Sequence, residues 1–437
     1  MGKKTQVVIV GSGCVGMSTA LWMLEDGKYD VTILEKSVVI PAPDAASTDI
    51  NKIVRSGDYA DPILAKLSVE AIEWWRKPEW EGVYHESGIV CLSSVKGTKG
   101  NDFVEKAYQN CVDLDLGATL LRSPADVRSV FPKGLKTGLF GGGKGYHNCV
   151  GGWGESGRSV EVGLKRVAKL GGKIRAGAEV VSLKKNGSKV DGVVLASGEV
   201  VYGDLVVLAA GAWTPALCAG DKVPLPPIVA TGQSVAFVQL TPEEAALHSK
   251  TPIVFNLDNG FYCFPPNKDG IVKFAIHHYG HTNNVTVGPP GSTEQVSLPL
   301  TKLSPEGESG AIPVDMVRRL RTALADVYPN LAKKPFFDTR LCWYCDTVTG
   351  DWLIDYHPNY DNLVLATGDS GHAFKFAPII GREILAIIER RAEPVFADRL
   401  SFSPTAFAGA DVRVGKLEDL SACVKCTGND LQPPARL

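Results

Sequence analysis

Two cysteines, Cys342 and Cys345, stand three residues apart in the stretch RLCWYCDT, beside Arg340. Thiols at this spacing can bind zinc, form a redox-active disulfide or hold a covalently attached group. A zinc site shared with Cys423 and Cys426 would need a gap far longer than zinc ribbons use, and no βαβ turn adjoins the pair. Two buried structural thiols, or a thiolate that Arg340 stabilises for covalent attachment, remain as alternatives.

The stretch GIVKFAIHHYG places polar side chains on one face of an expected strand. Because successive strand residues point to opposite faces, Lys273 and His277 share one face. Val272, Phe274 and Ile276 occupy the other, which predicts a core face. The first face could be solvated. It could equally line a cavity, where an ammonium stabilises developing negative charge and an imidazole forms hydrogen bonds.

Arg55 and Lys375 could bind one carboxylate together, since a planar guanidinium can contact both of its oxygens. An arginine in a loop is more often a solvated charge, so the residue types alone leave both interpretations open. His372, which follows Gly371, could serve only to satisfy loop carbonyls.

These groups need a scaffold, and the N-terminus provides its clearest element. The stretch QVVIVGSGCVGMSTALWMLEDGKYDVTILEK combines an apolar strand, G-x-G-x-x-G, a helical pattern and a second strand that ends in Glu35. Gly11 permits the tight turn, Gly13 lets a pyrophosphate approach the backbone, and Gly16 allows close helix–strand packing. The helix N-terminus can bind phosphates, and Glu35 can accept from a ribose hydroxyl. The sequence therefore predicts dinucleotide binding.

Composition excludes several classes of protein. The 437 residues suggest two to three domains, and 44% hydrophobic with 22% charged residues is ordinary for a globular protein. A formal net charge of −2 gives no reason to expect nucleic acid or an anionic membrane as partner. No apolar run approaches the roughly 18 residues of a membrane span. The ten cysteines, with no secretory signal in view, predict reduced thiols inside a cell.

Together these stretches resemble the flavin-dependent amine oxidases typified by monomeric sarcosine oxidase, pipecolate and saccharopine oxidases, and the amadoriases, which oxidise fructosyl amino acids. The resemblance covers most of residues 5–395. It implies an α/β (α+β) fold like that of glucose oxidase and D-amino-acid oxidase. That fold joins a Rossmann-like FAD-binding domain to a discontinuous, mainly antiparallel β-sheet substrate domain. The implied reaction is hydride transfer from a secondary amine to flavin N5, followed by reduction of O2 to peroxide and imine hydrolysis.

The resemblance also implies how the chain is divided between domains. The FAD-binding domain would be discontinuous, the substrate domain would be inserted in it, and a tail would wrap the surface. The implied ranges are 1–85, 150–215 and 332–395 for the FAD-binding domain, 86–149 and 216–331 for the substrate domain, and 396–437 for the C-terminal tail.

Four stretches carry the site roles that the resemblance implies. In DINKIVR, Lys52 lies near the flavin and Arg55 binds a substrate carboxylate. In GIVKFAIHHYG, Lys273 faces the flavin where oxygen reacts, and His277 contacts the substrate. In RLCWYCDT, Cys342 forms a thioether with the flavin 8α-methyl, which makes the FAD covalent and leaves Cys345 without a role.

The fourth stretch, GDSGHAFKFAP, supplies Lys375 as the second carboxylate-binding residue, which also contacts the cofactor. No metal is expected. The other cofactor contacts that the resemblance implies are Gly11, Gly13, Gly16, Glu35, Lys36, Ser47, Val181, Gly368, Gly371 and His372.

One position bears on the substrate. Amadoriases usually carry an acidic residue four places after the oxygen-site lysine, whereas this chain has His277, as sarcosine- and pipecolate-type oxidases do. The DINK element is more like that of amadoriases. We therefore predict a monomeric oxidase of N-substituted amino acids of the sarcosine, pipecolate or saccharopine type. Deglycation of fructosyl amino acids is the alternative, and a dehydrogenase that passes electrons to a partner protein is a weaker one.

The last three residues, Ala435, Arg436 and Leu437, resemble a variant of the S-K-L peroxisomal address. They predict a peroxisomal enzyme, with the cytoplasm as the alternative, because an enzyme that releases peroxide benefits from being housed with catalase.

Overall fold

The computed structural model describes residues 3–288, 291–304, 311–404 and 412–434. Ala435, Arg436 and Leu437, the predicted peroxisomal signal, lie outside these residues. No helix in the described ranges has the length and apolar character needed to cross a membrane. The α-helices of the described chain are Cys14–Asp26, Pro62–Trp75, Lys99–Asp113, Pro124–Ser129, Ser156–Lys169, Thr214–Gly220, Pro242–His248, Val314–Val327, Ile380–Ile388 and Pro394–Arg399.

A six-stranded sheet contains the glycine fingerprint. Its strand Thr5–Val10 pairs in parallel with Tyr29–Leu34 on one side and Leu205–Leu208 on the other. The run 7–10 is buried, as expected for a strand that is covered on both faces. The edge strand Leu353–Tyr356 pairs antiparallel with Leu363–Thr367, and all other neighbouring strands in this sheet are parallel. In spatial order the strands are Leu353–Tyr356, Leu363–Thr367, Leu205–Leu208, Thr5–Val10, Tyr29–Leu34 and Lys173–Arg175.

The helix Cys14–Asp26 connects the first two parallel strands and packs between the helices Ser156–Lys169 and Ile380–Ile388. A glycine makes this packing close. A Cβ at Gly381 would lie 2.1 Å from the carbonyl oxygen of Ser18, so the two helix backbones can approach only where that side chain is absent.

A ten-stranded, mainly antiparallel sheet forms the second half of the molecule. The helix Val314–Val327 covers one of its faces and shares a core with Val272, Phe274 and Ile276, as strand alternation predicts. In spatial order its strands are Glu418–Asp419, His281–Thr282, Ile228–Gln239, Ile271–Ile276, Phe261–Cys263, Ile253–Asn256, Ile89–Leu92, Gly145–Asn148 and Thr119–Leu121, with Asp338–Thr347 paired to Ile228–Gln239. The predicted fold class, a parallel nucleotide-binding sheet joined to an antiparallel sheet, is confirmed.

The strand Asp338–Thr347 pairs with the larger, mainly antiparallel sheet. The predicted domain ranges place residues 332–395 in the FAD-binding domain, whereas the strand forms a ten-residue antiparallel register with 228–237 of the larger sheet. Its long backbone pairing, rather than its position in the sequence, determines where it lies. The division into domains itself stays a prediction.

Three smaller sheets complete the fold. One of them joins the predicted loop around Lys52 to the rest of the chain, because Lys52–Val54 pairs with Gly152–Gly154. The smaller sheets are Val180–Asn186 with Lys189–Leu195 and Val200–Tyr202, Lys52–Val54 with Gly152–Gly154 and Tyr84–His85, and Asn284–Thr286 with Gln295–Ser297.

Residues 412–434, here called the C-terminal segment, run along the edge of the larger sheet. The amide of Val414 donates to the carbonyl of His277 at 3.1 Å, and Glu418–Asp419 pairs in parallel with His281–Thr282. Farther on, the amide of Phe336 donates to the carbonyl of Leu431 at 2.9 Å. The segment is therefore bound to the sheet by backbone hydrogen bonds along much of its length.

Candidate active site

The glycine fingerprint has the geometry that a dinucleotide requires. Gly11 has φ +105°, and a Cβ there would lie 2.4 Å from the carbonyl oxygen of Ala209. A Cβ at Gly16 would lie 2.0 Å from the carbonyl oxygen of Gly11. Gly13 is the N-cap of the following helix and provides no side-chain cap. The turn therefore demands glycine, and the helix N-terminus suits an anion.

Polar side chains hold this turn in place. Glu35 is buried, and its carboxylate accepts from the amide and the hydroxyl of Ser12, at 3.0 and 2.8 Å, and from the amide of Ser37 at 3.0 Å. The hydroxyl of Ser47 accepts from the amide of Cys14 at 3.1 Å, at the start of the helix. Glu35 and Ser47 thus lie at the fingerprint, where the sequence places them.

Two other predicted cofactor contacts lie at the edges of this region. The ammonium of Lys36 is 4.1 Å from the ring centroid of Trp213. Val181 lies at a β-bulge between Val180 and Ser182, with 46% of its surface exposed. Contacts of Lys36 and Val181 with a nucleotide stay predictions.

The strand Asp338–Thr347 separates the two thiols of the CxxC stretch. Cys342 lies against Val235, Phe237 and Ala275, and its Sγ accepts from the ammonium of Lys52 at 3.2 Å. Cys345 points to the opposite face, and its Sγ accepts from the hydroxyl of Thr367 at 3.4 Å. Residues three apart on a strand face opposite ways, so this pair cannot share a metal ion or a disulfide.

The predicted catalytic side chains line one cavity of about 320 Å³. It lies between the larger sheet and the loop that contains Gly371, and a wall of aromatic rings limits it. The predicted residues in its lining are Lys52, Arg55, Lys273, His277, Gly371, His372 and Lys375.

Arg55 and Lys375 form the cationic end of this cavity. The guanidinium of Arg55 donates to the carbonyl of Asp58 at 3.0 Å and lies 4.1 Å from the centroid of the Tyr59 ring. The ammonium of buried Lys375 donates to the carbonyl of His372 at 3.0 Å. In the part of the chain that the structure describes, neither forms a salt bridge. Burial, and then the charge of Arg55, lower the pKa of Lys375 well below its usual range.

His277 is neutral in this setting. Burial lowers its pKa well below the usual range, and the charges of Arg413, Arg55 and Lys375 lower it further. Its ring lies 5.9 Å from that of Phe255 in an edge-on arrangement. A neutral imidazole can accept or donate a hydrogen bond without competing for an anion.

The loop from Gly368 to His372 closes the other side of the cavity. Gly368 and Gly371 have φ +64° and +72°, and a Cβ at Gly371 would lie 2.4 Å from the Tyr344 ring. Asp369 accepts from the amides of Cys345 and Gly371, at 2.8 and 3.2 Å, and burial raises its pKa to about 6. The loop is thus held tightly against the strand that carries Cys342.

Two residues in or just before the DINKIVR stretch have buried polar atoms that a bound group could satisfy. The oxygen and the nitrogen of the Asn51 side-chain amide are buried and have no hydrogen-bond partner among the described residues. The same is true of the hydroxyl of Thr48. Buried polar atoms normally find partners, so a group with a polar edge, such as a flavin ring system, fits here. The fingerprint and this loop together fit FAD.

Asp49 is a site residue that sequence reasoning missed. Its carboxylate forms salt bridges with Lys273 at 2.6 Å and with Lys52 at 3.4 Å. Asp49 and Arg340 also line a second cavity, of about 520 Å³, next to the first. The i,i+3 spacing of Asp49 and Lys52 was a visible signal. The contact with a lysine 224 residues away was not.

Arg399 and Arg413 were also missed, because the sequence assigned residues 396–437 only to a surface-wrapping tail. Both line the cavity, at side-chain exposures of 6% and 9%. Arg399 pairs with Asp351 at 2.5 Å, and Arg413 pairs with both oxygens of Asp346 at 2.7 Å. Pairing of the C-terminal segment with the larger sheet places Arg413 here, which no local sequence pattern encodes.

The fold and the site define a flavin-dependent oxidoreductase. Residues 6–387 match the family described as FAD dependent oxidoreductase, and the chain belongs to that family. It is 32% identical over 395 residues to L-saccharopine oxidase of Schizosaccharomyces pombe, covering 86% of this chain and 88% of that protein. It is 23% identical over 382 residues to peroxisomal sarcosine oxidase of Mus musculus, covering 86% and 90%. Fructosamine oxidase of Aspergillus fumigatus (Amadoriase II), a deglycating enzyme, superposes with a TM-score of 0.81 at 28% identity, covering 97% of each chain.

Proposed function

We propose that this FAD-dependent oxidoreductase oxidises the secondary amine of N-substituted amino acids of the sarcosine, pipecolate or saccharopine type, with O2 as acceptor and peroxide as product. One observation carries the proposal. Arg55 and Lys375 lie together at one end of the cavity, and no carboxylate of the described residues forms a salt bridge with either. A substrate carboxylate would supply the missing negative charge.

The roles of the side chains follow from their charges. Arg55 and Lys375 bind and orient the carboxylate, and that places the adjacent amine deeper in the cavity. Neutral His277 hydrogen-bonds the substrate without adding a further positive charge near Arg413, Arg55 and Lys375. When bound, FAD supplies the acceptor for the hydride of the amine and passes the electrons to O2. The ammonium of Lys273, in the same cavity, favours the negative charge that develops on reduced oxygen.

We also propose that the FAD is attached covalently through Cys342. Its thiol is buried, and its Sγ lies 3.2 Å from the ammonium of Lys52, one of the residues that line the cavity. Cys345, on the opposite face of the strand, provides a matched control. Acid-precipitated wild type and Cys345→Ser should stay yellow, whereas Cys342→Ser should release its flavin into the supernatant. A yellow pellet from Cys342→Ser would contradict the attachment.

Deglycation of fructosyl amino acids is the second candidate. The similarity in structure to fructosamine oxidase and the DINK element favour it, whereas His277, where amadoriases usually carry an acidic residue, opposes it. A dehydrogenase that uses a partner protein is the third, and Lys273 opposes that one. An anaerobic dye assay beside the oxygen assay distinguishes the third from the other two.

A peroxide-release screen tests the proposal directly. Sarcosine, pipecolate, saccharopine and fructosyl-valine are offered to the holoenzyme, each beside its carboxamide or ester where one exists. We expect peroxide from one of the first three and little from the compounds that lack the carboxylate. Turnover of fructosyl-valine alone would select the amadoriase alternative, and dye reduction without peroxide would select the dehydrogenase.

We further propose that the enzyme is monomeric and peroxisomal, and that the small-molecule amine and O2 are its only partners in the reaction. The similarity to a peroxisomal sarcosine oxidase supports the location. Gel filtration with light scattering tests the first statement, and a fluorescent fusion imaged beside catalase tests the second.

A further inference from the structure

The carboxylate of Asp49 is shared by two lysines in a nearly dry environment. The side chains of Asp49 and Lys273 are each 1% exposed, and that of Lys52 is 17% exposed. A buried charge is costly unless it is paired and hydrogen-bonded. Removal of the Asp49 side chain would therefore leave the buried ammonium groups of Lys273 and Lys52 without a compensating negative charge.

The backbone around Asp49 holds its carboxylate in a fixed position. Its amide donates to the hydroxyl of Ser156 at 3.1 Å, and its carbonyl accepts from the amide of Gly157 at 2.9 Å, at the start of a long helix. Its Oδ1 accepts from the amide of Ile50 at 2.8 Å, which leaves Oδ2 for the lysines. The carboxylate thus has little freedom to move away from them.

Lys273 has a second fixed contact. Its ammonium donates to the carbonyl of Asn51 at 2.6 Å, so two acceptors from one loop define its position. That loop is paired to a neighbouring strand through Lys52–Val54. The ammonium of Lys273 is therefore positioned by the DINK loop rather than by its own strand alone.

The charges around Asp49 are unequal in number. Lys52, Lys273 and Arg340 surround one carboxylate, and the thiol of Cys342 lies beside Lys52. Burial alone would raise the pKa of Asp49, but the charges of Lys273, Lys52 and Arg340 hold it below its usual range. Burial lowers the pKa of Lys273 to about 8, and Asp49 is the largest influence that opposes this decrease. Lys52 and Asp49 thus act on Lys273 with opposite signs.

We propose that Asp49 is a positioning residue for the oxygen half-reaction, which fixes the ammonium of Lys273 in the cavity and keeps it protonated beside Lys52. The inference rests on the proposed function only through the role of Lys273. Without the Asp49 carboxylate, two ammonium groups would face each other in a buried site. The one that titrates more readily, Lys273, would lose its proton at a lower pH.

The test follows reoxidation of anaerobically reduced holoenzyme by O2 from about pH 6 to 9, in wild type and Asp49→Asn. In wild type the rate should decrease as the pH passes about 8, where Lys273 deprotonates. In Asp49→Asn the decrease should occur at a pH about one unit lower, which makes reoxidation about twofold slower at pH 7 and nearly tenfold slower at pH 9. Anaerobic reduction by substrate should change by less than about threefold, because Asp49 acts through Lys273.

A double-mutant cycle shows whether the effect passes through Lys273. In the Lys273→Met background, Asp49→Asn should have no further effect on reoxidation. An equal slowing in both backgrounds would overturn the proposal, as would an unchanged pH midpoint in Asp49→Asn. Normal reoxidation in Lys273→Met alone would instead overturn the oxygen site in the proposed function.

A readout independent of turnover is the NMR titration of the lysine side-chain nitrogens in the holoenzyme, with the Lys273 signal assigned by its loss in Lys273→Met. The midpoint should move to lower pH in Asp49→Asn and stay near that of wild type in the conservative Asp49→Glu.

If Asp49→Asn does not fold, Asp49→Glu carries the test, since its longer side chain should move the ammonium and slow reoxidation at an unchanged midpoint. If Asp49→Glu were reoxidised at the wild-type rate, that result would overturn the proposal that Asp49 positions the ammonium of Lys273. Asp338→Asn, which removes an exposed partner of Lys302, is the matched control.

Discussion

Two pairs of cations line the same cavity, and among the described residues only one of these pairs forms salt bridges with a carboxylate. Lys52 and Lys273 share Asp49, whereas Arg55 and Lys375 donate to backbone carbonyls and form no salt bridge among the described residues. Both pairs are largely withdrawn from water, so both need negative charge. Asp49 supplies it to one pair, and under the proposed function a substrate carboxylate supplies it to the other.

The two lysines, Lys273 and Lys375, differ accordingly in how far burial lowers their pKa. Burial lowers the pKa of both Lys273 and Lys375, but Asp49 limits the decrease to about 8 for Lys273, whereas Lys375 lies well below its usual range. Lys273 is thus charged before any ligand arrives. Lys375 forms no salt bridge among the described residues, so a bound anion would favour its charged form.

The largest expected effect concerns the compensated pair. Lys273→Met should slow reoxidation of the reduced flavin by about 10²–10³-fold, the usual cost of losing one preorganised charge, and should slow anaerobic reduction far less. Stopped-flow measurement of the two half-reactions distinguishes them. Lys302→Met, at an exposed salt bridge, is the control. A large increase in KM with normal reoxidation would mean that the two pairs do not differ in this way.

The uncompensated pair should affect binding instead. Arg55→Met and Lys375→Met should each raise KM by about 10- to 150-fold, since a charge-assisted hydrogen bond contributes about 1.5–3 kcal/mol. Reoxidation by O2 should be unaffected. An N-substituted amino acid and its carboxamide are compared in steady-state assays. If the mutations weaken both compounds equally, the pair does not bind a carboxylate.

A smaller effect is expected from pH. Free Lys375 has a lowered pKa, and a bound carboxylate raises it, so binding takes up a proton. Carboxylate binding should therefore be fully present at low pH and weaken, by up to about tenfold per unit, as the pH rises through the range above the free pKa. Inhibition by acetate measured across pH checks this. Lys375→Met should make the inhibition nearly independent of pH, and the same slope in that variant would assign the proton elsewhere.

The smallest effect is on stability. A monocarboxylate present at about ten times its Kd should stabilise the folded holoenzyme by about 1.4 kcal/mol, which corresponds to an increase in Tm of about 1–3 °C. Arg55→Met should lose this increase, whereas Asp49→Asn should keep it, because Asp49 belongs to the other pair. Thermal unfolding followed by circular dichroism provides the measurement. An increase in Tm that survives in Arg55→Met would place the anion at another site.

Sequence reasoning succeeded where the signal was local. The strand–glycine–helix–Glu35 pattern predicts the nucleotide-binding element, and strand alternation places Phe274 in the core and Lys273 on the opposite face, which only the resemblance assigned to a cavity. The resemblance to amine oxidases brings Arg55 and Lys375 together, and the structure places both in one cavity. Their roles stay predictions.

What the sequence could not predict depends on contacts between distant segments. Asp49 meets Lys273 only because the DINK loop lies over a strand more than 200 residues later. Arg413 reaches the cavity because residues after it pair with the edge of the larger sheet. Asp338–Thr347 joins that sheet through its long register with 228–237. None of these has a periodicity or a motif that marks it.

Arg399 and the C-terminal segment both lie beyond the end of the family match, which matters for anyone who trims or fuses the enzyme. The match to the family ends at residue 387, so a chain shortened to that boundary would keep the nucleotide-binding sheet and lose Arg399 and Arg413 from the cavity wall. A reporter tag or immobilisation linker fused directly after residue 387 would stand in place of the residues that form one wall of this cavity. Recombination between relatives should therefore transfer this segment together with the strands it covers, as one exchangeable unit.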